Sequence, residues 1–132
     1  MTYILDTDIC IYWLKGNENI ERKALIAGLD NLAISFISLS ELFYGAHKSQ
    51  KVWENLESIK SFSEKLELID SEEEICEVFE QLKATLEKRG KVLDDADLFI
   101  AACALVNDIV LVTNNEKHFR RIEGLRLENW AN

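Results

Sequence analysis

The sequence predicts a protein of the α/β class, an α/β/α sandwich with a central, mostly parallel sheet of four to five strands. The main observation is that short apolar runs of strand character alternate with longer stretches whose apolar residues recur at helical spacing. One run, Ile109–Val112, contains no polar residue, as is typical of a strand buried on both faces of a parallel sheet. With 132 residues, 48% of them hydrophobic, the chain is long enough to bury its own core. We therefore expect a single domain over residues 1–132.

The first predicted elements are one strand and two helices. Tyr3–Leu5 is a β-type apolar run that ends at Asp6. The apolar residues of Ile9–Leu14 then recur at helical spacing until Gly16, a residue type that commonly follows a helix end. A short second helix is predicted over Ile20–Ala27 on the same criterion. This assignment places Asp6 between the first strand and the first helix.

The central part of the chain predicts two strands that enclose two helices. The strands are the apolar runs Leu32–Phe36 and Leu66–Ile69. A helix is predicted over Ser38–Ala46, because its first residue and Glu41 have the spacing of a capping box. Another helix is predicted over Val52–Phe62, where apolar residues again recur at helical spacing.

The last part of the chain contains the clearest helix. It begins at Ser71, which has capping-box spacing with Glu74, and it ends at Gly90. A further helix over Asp94–Val106 is almost entirely apolar after its first turn, so we expect it to be buried ahead of the strand Ile109–Val112. The remaining elements are a short helix and an edge strand, Lys117–Arg121 and Arg126–Glu128.

The chain is acidic, with 15 Lys and Arg residues against 24 Asp and Glu residues, a net charge of −9 and a pI of about 4.7. Nucleic-acid-binding domains are usually basic, so the total charge taken alone disfavours such a partner. The acidity is concentrated between Glu54 and Glu80, however, where 10 acids and 2 bases give −8, while the other 105 residues carry only −1. The charge therefore does not exclude RNA as a partner of the rest of the chain.

The sequence also indicates the cellular compartment of the protein. No apolar run approaches the ~20 residues of a membrane span, and the amino terminus has neither a basic leader nor a long apolar stretch. Three cysteines, an odd number at unrelated spacings, are typical of free thiols in a reducing compartment. We expect a cytoplasmic protein without a membrane partner.

Three acidic residues, Asp6, Glu41 and Asp97, lie just beyond predicted strands or at the starts of the helices that follow. Taken singly, each is explained as a helix cap or as a first-turn acid that the helix dipole favours. Taken together, they occupy places that share one edge of an open parallel sheet, where ligands bind. Thr113, directly after Ile109–Val112, belongs to the same edge. Further acids are expected around it: Asp8, Asp94 and Asp95.

The carboxylates at this edge predict a divalent metal ion. Carboxylates crowded at low dielectric repel one another and take up protons unless a cation neutralises them. Oxygen ligands without a Cys or His companion select a hard cation, Mg²⁺ or Mn²⁺. Such an ion lowers the pKa of a bound water and binds a phosphoryl oxygen, as in metal-dependent nucleases and phosphatases.

Four motifs in a fixed order cover essentially the whole chain. They are Tyr3–Tyr12, Ala33–Ser35 with Ser40–Gly45, Asp97–Leu105 with Leu111–Asn115, and the closing Phe119, Gly124–Leu125 and Leu127–Trp130. In this order and at this total length they resemble the PIN-domain ribonucleases, in particular the VapC toxins of bacterial and archaeal toxin–antitoxin modules. The agreement of four ordered motifs is far more specific than that of any one of them.

The resemblance implies a PIN-like fold and a metal-dependent endoribonuclease that hydrolyses RNA phosphodiester bonds by water attack, with tRNA or another structured RNA as substrate. It makes Asp6, Glu41 and Asp97 the metal-binding acids and Thr113 a polar residue that orients water, metal or phosphate. Many members of the family have a further acid shortly after this threonine. That place is taken here by Asn114, Asn115 or Glu116. The family also implies a homodimer and a VapB-like antitoxin as partner.

One basic cluster, Lys117, Arg120 and Arg121, is predicted near the same edge. These side chains are candidates for contacts with RNA phosphates, and an ordinary solvated helix face explains them equally well. His118, which could reach a leaving group or a phosphate, is interpreted instead as a residue that packs beside Phe119.

Two other functions also fit parts of the sequence. A receiver-like signalling module is also a small acidic α/β protein with a Mg²⁺-binding acid cluster. It needs a phosphoacceptor, for which Asp70 is the candidate, and a Lys at the end of a later strand, which is missing. A degenerate PIN domain would bind RNA or an antitoxin without cleavage. The three core acids argue against that function, and Asn115 in place of an acid argues for it.

Overall fold

The computed structural model of the protein describes residues 1–132 and contains one sheet of five strands. The strands are β1 (Tyr3–Leu5), β2 (Leu32–Ser35), β3 (Glu67–Ile69), β4 (Val110–Val112) and β5 (Leu127–Glu128). Their order in the sheet is β3-β2-β1-β4-β5, and every neighbouring pair is parallel. The predicted class and the parallel sheet are confirmed.

Seven α-helices connect and flank the strands. They are α1 (Thr7–Leu14), α2 (Glu18–Ala27), α3 (Phe36–Lys48), α4 (Val52–Glu64), α5 (Glu73–Lys88), α6 (Asp95–Asn107) and α7 (Glu116–Phe119). A single 3₁₀ turn, Leu29–Asn31, precedes β2. Every element predicted from the apolar pattern is present. No helix combines the length and the apolar character needed to cross a membrane.

The two faces of the sheet are covered by different helices. Successive residues of a strand point to opposite faces. Ile4 and Leu111 therefore lie in a core with α5 and α6, while Leu5 and Val112 lie in a second core with α1 to α4. Burial on both faces explains why the three central strands β2, β1 and β4 lack polar alternation. Helix α6 contributes six buried residues to the first core, which confirms the prediction that it is buried.

The direction in which successive strands are added to the sheet reverses next to the central strand β1. The chain passes from β1 outward to β2 and β3, and later from β4 outward to β5 on the other side. The carboxyl ends of β1 and β4 therefore form the topological switch point, where open α/β sheets bind ligands. Leu5 pairs with Val112 in this register, and the Asp6 N–H donates to the Val112 oxygen at 2.9 Å. Asp6 and Thr113 consequently leave the sheet side by side.

The predicted start of α3 is wrong. The helix begins at Phe36, directly after β2, and its N-cap is Ser35, whose Oγ accepts the Ser38 N–H at 3.0 Å. Ser38 and Glu41 therefore lie inside the helix and form no capping box. The strand passes into the helix without a linker, so a cap was available three residues earlier than predicted. Because it caps nothing, the Glu41 carboxylate is free for other contacts.

The predicted capping box of α5 is also wrong. The Ser71 N–H donates to Asp70 Oδ1 at 2.8 Å, and the backbone stays extended through Glu72, with φ −142° and ψ 156°. The helix then starts at Glu73 without any side-chain capping bond. Glu72, and not Ser71, therefore occupies the N-cap position.

Because Ser35 caps a helix and Ser71 does not, replacing each by alanine should have different effects on stability. Ser35→Ala removes a buried cap and should lower the free energy of unfolding by about 1 kcal/mol. Ser71→Ala removes an exposed hydroxyl without a partner in the helix and should change it by less than about 0.5 kcal/mol. Urea denaturation of the two variants measures both values. A loss for Ser71→Ala equal to that for Ser35→Ala would contradict the caps described above.

Candidate active site

The carboxyl group of Asp6 lies at the end of the central strand, with only 6% of the residue exposed. Asp6 is the N-cap of α1, and its Oδ1 accepts the Thr7 N–H at 2.8 Å. Its Oδ2 accepts the Thr113 hydroxyl at 2.7 Å, which joins residues that lie 107 positions apart. Both oxygens are thus held in a fixed orientation at the switch point of the sheet.

Thr113 is fully buried, and its hydroxyl has two defined partners. The Asn115 N–H donates to Thr113 Oγ1 at 2.9 Å. The hydroxyl proton therefore points to Asp6, because the other side of the oxygen already accepts a hydrogen bond. The turn after β4 consequently fixes both the threonine and the carboxylate that it contacts.

Glu41 reaches the same edge from the second turn of α3. Its Oε1 accepts the Thr7 hydroxyl at 2.6 Å, and Thr7 Oγ1 also lies 2.9 Å from Ser38 Oγ. Thr7 therefore connects the two predicted acids, since its N–H contacts Asp6 and its hydroxyl contacts Glu41. Sequence reasoning missed this residue. The available signal was a hydroxyl at the first helical position, directly after a candidate acid.

Asp97 lies half-buried in the first turn of α6, as predicted. Burial is the main cause that raises its pKa to about 6, and the negative charge of Asp6 is the second. The charges of Asp94 and Glu41 also raise this pKa, whereas His118 lowers it. These influences place Asp97 within the same charged neighbourhood as Asp6 and Glu41. They also bring His118, interpreted above as a packing residue, near the acids.

Asp8, expected from the sequence only as a further acid around the edge, is bonded to the turn that follows Thr113. Its Oδ1 accepts the Ile9 N–H at 2.7 Å, and its Oδ2 accepts the Asn114 N–H at 3.2 Å. Burial raises the pKa of Asp8. Burial and the charge of Asp8 together raise the pKa of Asp6 to about 7, against the opposing hydrogen bonds from Thr113 and Thr7. The pair therefore favours a proton or a cation at neutral pH.

The remaining predicted residues lie at the periphery. Asp94 is the exposed N-cap of α6, and Asp95 turns away to pair with Lys83, at 3.2 Å between Nζ and Oδ1. Asn115 contributes its N–H to Thr113, while its side chain is not bonded to the acids. Glu116 begins α7 and forms no side-chain hydrogen bond or ion pair. The structure thus brings neither Asn115 nor Glu116 into contact with the acids as a fourth ligand.

The donors of this edge fit a hard divalent cation in their chemistry. No three Asp, Glu, His or Cys side chains are gathered closely enough in this structure to enclose an ion. The hydrogen-bonded groups around Asp6 nevertheless offer carboxylate and hydroxyl oxygens, and the bonded carboxylate oxygens of Asp6 keep a further lone pair. Asp6, Glu41 and Asp97 are the residues that could hold Mg²⁺ or Mn²⁺ here.

A family model and several known proteins match almost the whole chain. The family model of the PIN domain matches residues 3–125. The chain belongs to the PIN-domain family. It is 39% identical to ribonuclease VapC2 of Rickettsia felis over 135 residues, 98% of either protein. It is 33% identical to the tRNA(fMet)-specific endonuclease VapC of Shigella flexneri over 131 residues, 99% of either protein. The resemblance to the VapC ribonucleases is confirmed.

The fold agrees with a solved PIN-domain structure as well. The crystal structure of VapBC2 from Rickettsia felis, bound to a DNA fragment from its promoter, contains a chain similar to this one with a TM-score of 0.92. The identity is 38%, over 98% of this chain and 99% of that chain. The predicted function, an endoribonuclease of the toxin–antitoxin type, is thereby confirmed at the level of the family.

The raised pKa of Asp6 predicts that the metal-free protein loses stability as the pH rises. The pKa is about 7 in the folded protein and near 3.8 in an unfolded chain, so the folded state retains a proton that the unfolded state releases. The stabilisation is fully present below pH ~4 and is lost as the pH rises through ~7, at about 1.4 kcal/mol per unit of pKa difference. The raised pKa of Asp97 also makes the free energy of unfolding fall as the pH rises.

Urea denaturation in EDTA, between about pH 4.5 and 8, tests whether the metal-free protein loses stability as the pH rises. The free energy of unfolding should fall by a few kcal/mol with rising pH, and the fall should be much smaller in Asp6→Asn, which carries no charge. Mg²⁺ should restore stability to the wild-type protein mainly at the upper end of this range. Identical pH profiles for the wild-type protein and Asp6→Asn would exclude a raised pKa at this position.

Proposed function

We propose that the chain is a metal-dependent endoribonuclease that hydrolyses RNA phosphodiester bonds at the Asp6 edge of the sheet, with the whole chain as one catalytic domain. The observation that carries the proposal is the buried Asp6 carboxylate, fixed by Thr7 and Thr113 and surrounded by the charges of Asp8 and Asp97. A cluster of this kind favours a proton or a cation at neutral pH, and an RNA-cleaving family supplies a reaction in which a cation would be used.

Asp6, Glu41 and Asp97 would hold Mg²⁺ or Mn²⁺. When bound, the ion lowers the pKa of a coordinated water and offsets the charge that builds on the phosphoryl oxygens. Thr113 keeps the Asp6 carboxylate in one orientation, and Thr7 does the same for Glu41. Burial of Asp6 and half-burial of Asp97 keep bulk water away from these carboxylates, which strengthens their interaction with a cation.

A water molecule is the nucleophile in this proposal because the chain offers no suitable side chain. The Thr113 hydroxyl is buried and directed at Asp6. Cys10, the cysteine nearest to Asp6 in the sequence, is fully buried. Burial and the charges of Asp6 and Asp8 raise the pKa of its thiol far above neutrality. A thiol in that state is not ionised and does not attack.

We propose tRNA, or another structured RNA, as the substrate. The relative from Shigella flexneri is named a tRNA(fMet)-specific endonuclease, and it matches the chain over almost its full length. The exposed side chains of Lys117, Arg120 and Arg121 follow the Thr113 turn and are proposed to contact RNA phosphates.

We further propose a VapB-like antitoxin as the protein partner and a homodimer as the assembly. Support for the antitoxin comes from the similar solved structure, which is a VapBC complex on promoter DNA. An antitoxin that places a guanidinium group among Asp6, Glu41 and Asp97 would neutralise the site, because arginine pairs strongly with carboxylates. Access to tRNA requires that the protein acts in the cytoplasm.

Removal of one proposed ligand should abolish cleavage, whereas the same change nearby should not. Asp97→Asn removes a carboxylate whose pKa the charge of Asp6 raises, and it should lower the rate of tRNA cleavage by at least about 100-fold. Asp95→Asn, two residues earlier on the same helix and paired with Lys83, should stay within about threefold of the wild-type rate. Labelled total tRNA, purified protein without antitoxin, and Mg²⁺ or Mn²⁺ provide the assay.

Two results would contradict the proposal. Cleavage that continues in EDTA, or that Asp97→Asn leaves unchanged, would exclude the metal mechanism at this edge. Wild-type protein that binds tRNA tightly but leaves it intact with either metal would instead indicate a PIN domain that binds RNA or antitoxin without cleavage.

A further inference from the structure

Two short basic segments stand out in an otherwise acidic chain. Lys88–Lys91 ends α5 and begins the loop to α6, and Lys117–Arg121 covers most of α7 and the turn after it. Together they contain six of the 15 Lys and Arg residues and no Asp or Glu. Only one of the two segments was recognised in the sequence as a candidate for contacts with RNA.

One hydrogen bond and one shared cavity join these segments into one surface. Arg121 Nη1 donates to the main-chain oxygen of Val92 at 3.1 Å, which ties the end of α7 to the loop before α6. Arg121 and Arg89 also line the same surface cavity of about 240 Å³. We call this surface the basic arc, defined by Lys88, Arg89, Lys91, Lys117, Arg120 and Arg121.

No cation of the basic arc forms an ion pair within the protein, and the acid that lines the cavity of Arg89 and Arg121, Glu123, is paired with neither. The chain forms three ion pairs, and their cations are Lys51, Lys83 and Arg126, so none belongs to the arc. All six side chains of the arc are exposed. Exposed cations without carboxylate partners retain their full charge for an external anion, and phosphates bound there would release counterions.

Two lysines of the basic arc lie close in sequence to residues of the acidic edge. Lys91 precedes Asp94, the N-cap of α6, by three residues, and Asp97 follows in the first turn. Lys117 comes four residues after Thr113. A polyanion that enters the acidic edge would be repelled by the carboxylates and attracted by the arc beside them.

We propose that the basic arc binds RNA backbone phosphates that flank the scissile bond, so that the RNA contacts extend beyond α7 to Arg89 and Lys91. The inference rests on the proposed ribonuclease function and adds a second binding segment to it. An RNA backbone fits better than an acidic protein, because the arc adjoins a site that is built to receive a phosphodiester.

Binding measured without cleavage tests the basic arc separately from the nuclease activity. The double variant Arg89→Gln with Lys91→Gln is compared with Lys60→Gln with Lys65→Gln, two exposed lysines at the end of α4, near the opposite ends of the strands. The probe is fluorescently labelled total bacterial tRNA in EDTA. Fluorescence anisotropy gives the Kd over a series of salt concentrations, and sedimentation velocity gives the oligomeric state.

The arc variant should bind tRNA about tenfold more weakly at a fixed salt concentration, and its slope of log K against log salt should be smaller by about 1.5. The control variant should stay within about twofold with an unchanged slope. Equal weakening by both variants, or an arc variant within twofold of wild type, would overturn the proposal. So would unchanged tRNA binding with an altered oligomeric state, which would assign the arc to a protein contact. Failure of cleavage in the separate nuclease assay would count against the proposed function alone.

Discussion

The carboxyl group of Asp6 is buried where the central strand β1 ends and α1 begins, and the arrangement of the site follows from that position. Its two oxygens accept hydrogen bonds from Thr7 and from Thr113, which belong to the first and the fourth strand connections. The sheet order makes these contacts possible, because β1 and β4 are neighbours at the switch point. Thr7 extends the arrangement to α3 through Glu41. One buried carboxylate thus links three segments that are distant in sequence.

A buried carboxylate beside further acids is stable in only two forms, protonated or neutralised by a cation. The pKa of Asp6, about 7 because of burial and Asp8, means that both forms are accessible near neutral pH. The fold therefore stores an unfavourable charge at the place where the proposed RNA cleavage would use a cation, and the proposed basic arc offers the opposite charge. This division of charge reconciles an acidic protein with an RNA substrate.

Much of this could be predicted from the sequence. The apolar periods identify the strands and helices, and acids near the strand ends must share one edge once the sheet is parallel. The hydrogen-bond partners could not be predicted in the same way. Two serines were available as caps near α3, and only the direct passage from strand to helix selects Ser35. The bridging role of Thr7 and the bond between Asp8 and the Asn114 N–H depend on how distant segments meet, which local patterns do not determine.

The Asp6 carboxylate is thus held in a state that only a proton or a cation relieves. Carbon-13 NMR titration of the Asp6 carboxyl carbon, assigned by comparison with Asp6→Asn, measures that state directly. In metal-free protein the pKa should be about 7, and saturating Mg²⁺ should lower it to below about 5. A pKa near the ordinary value of 3.8 without metal, or one that Mg²⁺ does not change, would show that neither a proton nor a cation relieves the charge of Asp6.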